Sequence, residues 1–145
     1  MIEVTRLAAQ DRARWTALWT TYLSFYGTSL PDEQFAYTWD RIIGDAELHG
    51  FAARDGAEIV GIVHFLFHAS AWTSTPVCYL QDLFVTQEAR GKGIGRILIE
   101  AVAAHARERD SARLYWLTQD HNATARQLYD RLAKHSGFIR YEYPL

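Results

Sequence analysis

The stretch from Val77 to His105 constrains the fold more than any other part of the chain, because a strand pattern, a glycine-bearing turn and a helix pattern follow one another there without interruption. Val77 to Val85 (VCYLQDLFV) is rich in β-branched and aromatic residues and reads as a strand. Gln87 to Lys92 is a polar loop containing a glycine, and the next helix begins near Gly93. There Ile94, Ile97, Leu98, Ala101, Val102 and His105 fall at i, i+3, i+4, i+7, i+8 and i+11, one apolar stripe along an amphipathic helix. A helix with one such stripe must bury it against another layer.

The rest of the chain supplies that layer. Ile2 to Arg6 alternates as a strand, and between Ala9 and about Phe25 the residues Trp15, Leu18, Trp19, Tyr22 and Leu23 keep helical spacing. Gly27 ends this helix, Pro31 suits the first turn of a second, and Phe35, Trp39, Ile42 and Ile43 give the second its apolar face before Gly44 and Asp45 close it. Leu48 to Arg54 and Glu58 to His68 read as strands joined at Asp55-Gly56, a dipeptide that accepts the positive φ angles of a tight hairpin. Ala112 to Thr118 predicts another strand, Asn122 to about Lys134 a helix with Ala125, Leu128, Tyr129 and Leu132 inward, and Phe138 to Tyr143 a last strand. No repeat or linker interrupts this order, which predicts one domain over residues 1–145, α+β or α/β layered, with a mixed sheet.

Composition narrows the function. A formal net charge of -2, with Lys and Arg scattered along the chain, provides no basic field for a nucleic acid. No apolar run approaches the roughly 20 residues that span a bilayer, and MIEVTRLAAQ lacks the plan of a signal peptide, so a soluble chain with no membrane partner is expected. The single cysteine, Cys78, forms no internal disulfide and fits a reducing, cytoplasmic setting. Five Trp, eight Tyr and seven Phe exceed what a core of this size needs, which leaves aromatic side chains for a pocket or an interface.

Gly91, Gly93 and Gly95 let the backbone come close to a ligand just where a helix starts with unpaired amides. The helix dipole favours an anion there, and Arg90, Lys92 and Arg96 add cations suited to a diphosphate. An ordinary glycine-rich helix start reads the same from composition alone. The turn is not a Walker loop, since Lys92 is followed by Gly93 and not by Ser or Thr, and the spacing of Gly91, Gly93 and Gly95 does not match a dinucleotide fingerprint.

Arg90, Gly93 and Gly95, placed after a strand ending in Phe84-Val85, resemble the acetyl-CoA signature of the GNAT superfamily of N-acetyltransferases: Gln or Arg, two residues, Gly, one residue, Gly or Ala. Asn122, seven residues before Tyr129, is similar to that family's second block. The wording VCYLQDLFV, RGKGIG and HNATARQLYD is especially similar to the polyamine and small-amine branch. The resemblance implies a GNAT-like fold with a mixed, mostly antiparallel sheet flanked by about four helices, and direct acetyl transfer from acetyl-CoA to a small primary amine without a metal. It further implies that the backbone of Leu83, Phe84 and Val85 pairs with the pantetheine arm, that Gly91, Lys92, Gly93, Ile94, Gly95 and Arg96 hold the pyrophosphate, and that Asn122 bonds the arm. Relatives in this branch pair as homodimers through C-terminal strands, which Phe138 to Tyr143 suits, although Leu132 to Gly137 is longer than their usual turn.

Acetyl transfer needs a free amine lone pair and a proton for the departing thiolate. Freeing an alkyl ammonium at pH 7 costs about 4.6 kcal/mol before chemistry begins. Polyamine relatives carry Leu-Glu-Asp, the glutamate being the proposed base, whereas this chain has Gln81, which takes no proton, followed by Asp82. Asp82 replaces that base only if a bulge or twist turns it toward the thioester; otherwise it is a carboxylate bonding loop amides or a partner subunit. Tyr129 is a core aromatic by periodicity and the thiolate's acid by resemblance. Asn122 also suits a helix N-cap.

The resemblance places the acceptor among Trp19, Tyr22, Tyr26, Glu33 and Gln81, a small, weakly acidic, aromatic set. Polyamines want several carboxylates, so one small amine or amino acid is expected. His64 and His68 share a strand face without a third metal ligand, His121 is a loop histidine, and Cys78 reads as a buried thiol and not an acyl carrier. Two rival readings are a non-catalytic acetyl-CoA sensor and an acetyltransferase for protein N-termini or lysines.

Overall fold

The computed structural model describes residues 1–145. One five-stranded sheet runs β1 (Ile2–Arg6), β2 (His49–Asp55), β3 (Glu58–His68), β4 (Val77–Val85) and β5 (Leu114–Tyr115) in spatial order. The first three pairings are antiparallel, and β5 joins β4 in parallel. Between β1 and β2 lie helices α1 (Arg12–Phe25) and α2 (Asp32–Gly44); α3 (Ile94–Glu108) follows β4, and α4 (Ala123–Leu132) follows β5. The β2–β3 hairpin turns at Gly56, whose φ of +62° is the left-handed value foreseen for Asp55-Gly56.

Alternation along the strands divides the core between the two sheet faces. On one face Trp15, Leu18, Trp19 and Leu23 of α1 and Trp39 and Ile42 of α2 cover Ala52, Ile62 and Phe84. On the other, Ile94, Leu98, Ile99, Val102 and Ala106 of α3 cover Val63, Phe65, Cys78 and Leu80. α4 packs on this second face through half-buried Leu128, Tyr129 and Leu132 and has no fully buried residue. Ile43, expected on the apolar face of α2, is 40 % exposed.

Two expectations about strands fail. Only Leu114 and Tyr115 of the predicted Ala112 to Thr118 strand pair with β4, opposite Cys78 and Tyr79. A register shift in β4 just beyond those residues turns the strand away, and Trp116 onward has nothing to pair with. Phe138 to Tyr143 is not a strand, because its alternation offers an apolar face that no other part of the chain covers: Phe138, Tyr141 and Tyr143 are 87 %, 86 % and 87 % exposed.

A buried ion pair ties the start of the first helix to the sheet, beside the exposed Arg14–Glu58 pair between α1 and β3. Asp11, 5 % exposed, accepts from the Ala8 amide at 2.8 Å and takes both terminal nitrogens of Arg54 on β2 at 2.7 and 3.1 Å. Burial alone would raise the Asp11 carboxyl, but the Arg54 guanidinium and the Ala8 amide outweigh it and hold it below its ordinary value. The stabilisation is therefore complete above about pH 4 and is lost as the pH falls through the lowered value. In urea unfolding, Asp11→Asn is expected to cost about 2 kcal/mol at pH 7, and the gap to the parent should close toward pH 3. A gap that stays constant with pH would show that the pair does not contribute through charge.

Candidate active site

The site starts from an irregularity in β4. His64 of β3 stands opposite Asp82 and Phe65 stands opposite Leu80, so Gln81 is an extra residue without a partner. The bulge sets Leu80 on the α3 face and Asp82 on the α1 face; without it, alternation would put both on the same side. Standing in for a base requires a bulge of this kind, and this one turns Asp82 toward α1. Gln81 itself points into solvent.

Asp82 is held on arrival. Its Oδ2 lies 3.1 Å from Nδ1 of His64, a side chain only 2 % exposed, and Trp15 Nε1 donates to the other ring nitrogen of His64 at 2.9 Å. Tyr22 completes the group: burial, then the nearby Asp82 carboxylate and Tyr26 hydroxyl, push its phenol far above the ordinary tyrosine value and keep it protonated. Tyr22 also stacks on Trp19 at 5.1 Å and meets Tyr26 edge-on at the same distance. Trp19, 8 % exposed, is mainly a core residue, yet its indole N–H has no acceptor.

The glycine turn lies one strand length away. Gly91 and Gly93 have φ of +78° and +77°, and nothing within 4 Å would meet a Cβ at either, so both are required by backbone conformation and border open space. Gly95 differs from both, since a Cβ there would meet the Leu128 side chain of α4 at ordinary contact distance, 3.4 Å. The first backbone bond of α3 runs from the Ile97 amide to the Gly93 carbonyl at 3.1 Å. Six consecutive amides, Gly91 through Arg96, therefore donate to no group in the protein. Of the three cations, Arg90 folds back to donate to the Val85 carbonyl and cover the Phe84 ring, and Arg96 pairs with Glu100 at 2.8 Å. Lys92 alone has no side-chain partner, and of the three only Arg96 is in an ion pair.

Between the two features the sheet is open. β5 pairs only with Cys78 and Tyr79, so the edge of β4 at Leu83, Phe84 and Val85 has a partner in β3 and none on its other side. Tyr26, at the end of α1, is near enough to Tyr129, of α4, to act on it although the two helices cover opposite faces of the sheet. Burial, then Tyr26, raises the Tyr129 phenol above its ordinary value; Trp116 packs edge-on at 5.4 Å. Asn122 caps α4 with its Oδ1, 3.4 Å from the Ala125 amide, which leaves its amide donors free.

Other expected residues stand apart. Glu33 is exposed on the first turn of α2 with no bond to the Asp82 group, and His121 is a solvated loop residue beside Asp120. His68 pairs with the Tyr115 hydroxyl at 2.9 Å. Cys78 is fully buried, and burial pushes its thiol up to about 11, which removes the thiolate an acyl carrier would need. No group of three or more His, Cys, Asp or Glu is placed to hold a metal ion, and no helix is long and apolar enough to cross a membrane. A cleft of about 410 Å³ between α1 and the α1–α2 loop, lined by Arg12, Thr16, Thr20 and Ser24, contains none of the expected residues. Sequence reasoning missed Trp15 and His64 as parts of the site, because only the bulge brings a β3 histidine opposite Asp82.

Residues 15–133 match the model of the Acetyltransferase (GNAT) family. The chain is 35% identical to the D-amino-acid N-acetyltransferase HPA3 of Saccharomyces cerevisiae over 97% of its own length and 89% of that protein. It is 31% identical to a thialysine N-epsilon-acetyltransferase of Caenorhabditis elegans over 68% of its length and 64% of the relative. A solved structure of the aminoglycoside acetyltransferase AAC(6')-Iy, in complex with a CoA-containing bisubstrate analog, superposes with a TM-score of 0.87 over 100% and 99% of the two chains at 15% identity, a likeness of fold. The amide row supplies a direct test. Gly93→Ala forces a side chain into left-handed backbone, at about 1–2 kcal/mol, and should weaken coenzyme A binding about tenfold by calorimetry while the melting point moves only a few degrees. Unchanged affinity would remove the turn from the binding site.

Proposed function

Because the chain belongs to the GNAT family of acetyltransferases, we propose that it transfers the acetyl group of acetyl-CoA to the amine of a small molecule, with residues 1–145 acting as one catalytic domain. The observation that carries this reading is the row of six unpaired amides facing open space, with Lys92 free beside it and the aligned carboxylate of Asp82 across the open β4 edge. Backbone donors at a helix start suit a diphosphate. Acetyl-CoA supplies an activated thioester carbonyl.

The protein's residues divide the remaining work. The amides of Gly91 to Arg96 bind the diphosphate, the open edge at Leu83 to Val85 pairs with the cofactor's arm, and the free amide of Asn122 donates to it. Asp82 receives the acceptor's ammonium and takes one proton, which freely passes to solvent; the N–H bond breaks and nitrogen keeps the pair that forms the new C–N bond. As the C–S bond breaks, Tyr129 gives its proton to sulfur and regains one from the nitrogen. Its raised phenol favours this role, since the hydroxyl stays protonated at neutral pH. One proton is released per acetyl group moved.

The acceptor we favour is an amino acid. HPA3 is named for D-amino acids and the nematode relative for thialysine. Asp82 is the one carboxylate placed against Tyr22, whereas each amine of a polyamine needs an anionic partner of its own. A panel of D- and L-amino acids, thialysine and spermidine, read by coenzyme A release, is expected to give turnover on amino acids above that on spermidine. Coenzyme A binding without turnover on any amine favours a sensor, and acetylation of peptides alone favours a protein substrate. Tyr129→Phe should lower kcat about 100-fold with coenzyme A affinity unchanged. Surviving turnover would make Tyr129 a packing residue.

We also propose that the chain works as a homodimer in a reducing, cytoplasmic setting. The lone buried cysteine supports the compartment. The exposed Phe138, Ile139, Tyr141 and Tyr143, beside a strand of only two paired residues, support association through the C-terminal segment. Sedimentation of the full chain is expected to give a dimer, and of a chain ending at His135 a monomer. A monomeric full chain would refute the pairing.

A further inference from the structure

Asp82 owes its orientation to two residues that meet no solvent. Trp15 is fully buried in the first turn of α1, and His64 lies at the centre of β3. The indole nitrogen of Trp15 can only donate. Its contact at 2.9 Å therefore makes Nε2 of His64 an acceptor, places the ring proton on Nδ1, and directs that proton to Oδ2 of Asp82 at 3.1 Å. The tautomer of the histidine is thus set from a helix on one side, and the carboxylate is set by the tautomer on the other. Trp39 and Phe35 pack on the Trp15 ring at 5.0 and 6.0 Å, and Trp19 meets His64 edge-on at 4.8 Å, so none of the three groups is free to turn.

We infer that Trp15 and His64 are a positioning pair for Asp82, the indole holding the imidazole as a neutral donor so that Asp82 keeps one oxygen fixed and its negative charge for the acceptor's ammonium. The inference rests on the reading of Asp82 as the residue that receives the amine. A neutral N–H orients a carboxylate without cancelling its charge, whereas an imidazolium would pair with it and compete with the incoming cation. A proton on Nε2 would confront the indole N–H with a second donor, in a place where water cannot separate them. The pair thereby restores to Asp82 what the exchange of a glutamate for Gln81 removes, a directed anion on the edge of the open sheet. Tyr22, the remaining titratable neighbour, stays protonated and adds no charge.

The test uses the full chain labelled with ¹⁵N in its histidines, with the His64 signals assigned by their loss in His64→Asn. The expected spectrum has a neutral ring carrying its proton on Nδ1; a proton on Nε2, or on both nitrogens, at the pH of assay overturns the inference. Kinetics supply the second arm. Asparagine places an N–H near the position of Nδ1, so His64→Asn should keep acceptor kcat/KM within about fivefold of the parent, whereas His64→Phe should lower it about 100-fold with coenzyme A affinity unchanged. Trp15→Phe keeps the packing and removes the donor, and is expected to shift the His64 proton toward Nε2 and lower kcat/KM about tenfold. Equal losses in His64→Asn and His64→Phe would reduce His64 to a packing residue and overturn the inference. If His64→Phe does not fold, the tautomer in the parent and in Trp15→Phe decides. A parent that turns over none of the amines in the panel defeats the acetyltransferase reading separately, since the tautomer is read without substrate.

Discussion

The bulge at Gln81 is the feature on which the rest of the site depends. One unpaired residue in β4 changes the face on which every later side chain of the strand emerges, sending Asp82 toward α1 and keeping Leu80 in the α3 core. The same change of direction ends the pairing of β5 after two residues and leaves the edge of β4 open from the bulge to Val85. An oriented carboxylate and an opening in the sheet are thus two results of one insertion. A regular β4 would lack both, and would bury an aspartate in an apolar layer at considerable cost.

Around this opening the two faces of the sheet have separate tasks. The α1 face brings charge and aromatic surface: Trp15, Trp19, Tyr22 and Tyr26 form a ladder of rings ending beside Asp82. The α3 face brings backbone donors: the six free amides of the glycine turn, with α4, which carries Tyr129 and is capped by Asn122, packed on the same face. Under the proposed function, the donors on one face would take an anion and the carboxylate on the other a cation, so that neither shares partners with the other. The Asp11–Arg54 pair gives the first face its registry by fixing the start of α1 to β2.

The sequence was legible wherever a local pattern decides the outcome. β1, β3 and β4 begin and end where their alternation does, and the glycines at 56, 91 and 93 sit at the left-handed positions that their neighbours require. The order of elements and the membership of Gly91 to Arg96 in one turn followed from the same signals. Cross-strand register did not, because it depends on partners many residues away. The union of Trp15, His64 and Asp82 joins positions 49 and 18 residues apart, and no spacing rule announces it. Gly95 shows a second neighbour that no local pattern gives, the Leu128 side chain of α4 at 3.4 Å from where a Cβ would lie. The predicted C-terminal strand had the right alternation, but alternation describes a face and not its neighbour.

The buried Cys78 has a practical consequence. A thiol with no exposed surface and a pKa pushed up to about 11 is almost wholly unionised at neutral pH and out of reach of disulfide dyes. With no second cysteine in the chain, the native protein gives such a dye nothing to react with, so its colour change counts free coenzyme A and nothing else. Turnover can therefore be followed continuously with a thiol reagent at high protein concentration, and the same site reports the integrity of the core, since it becomes reactive only when β4 comes apart.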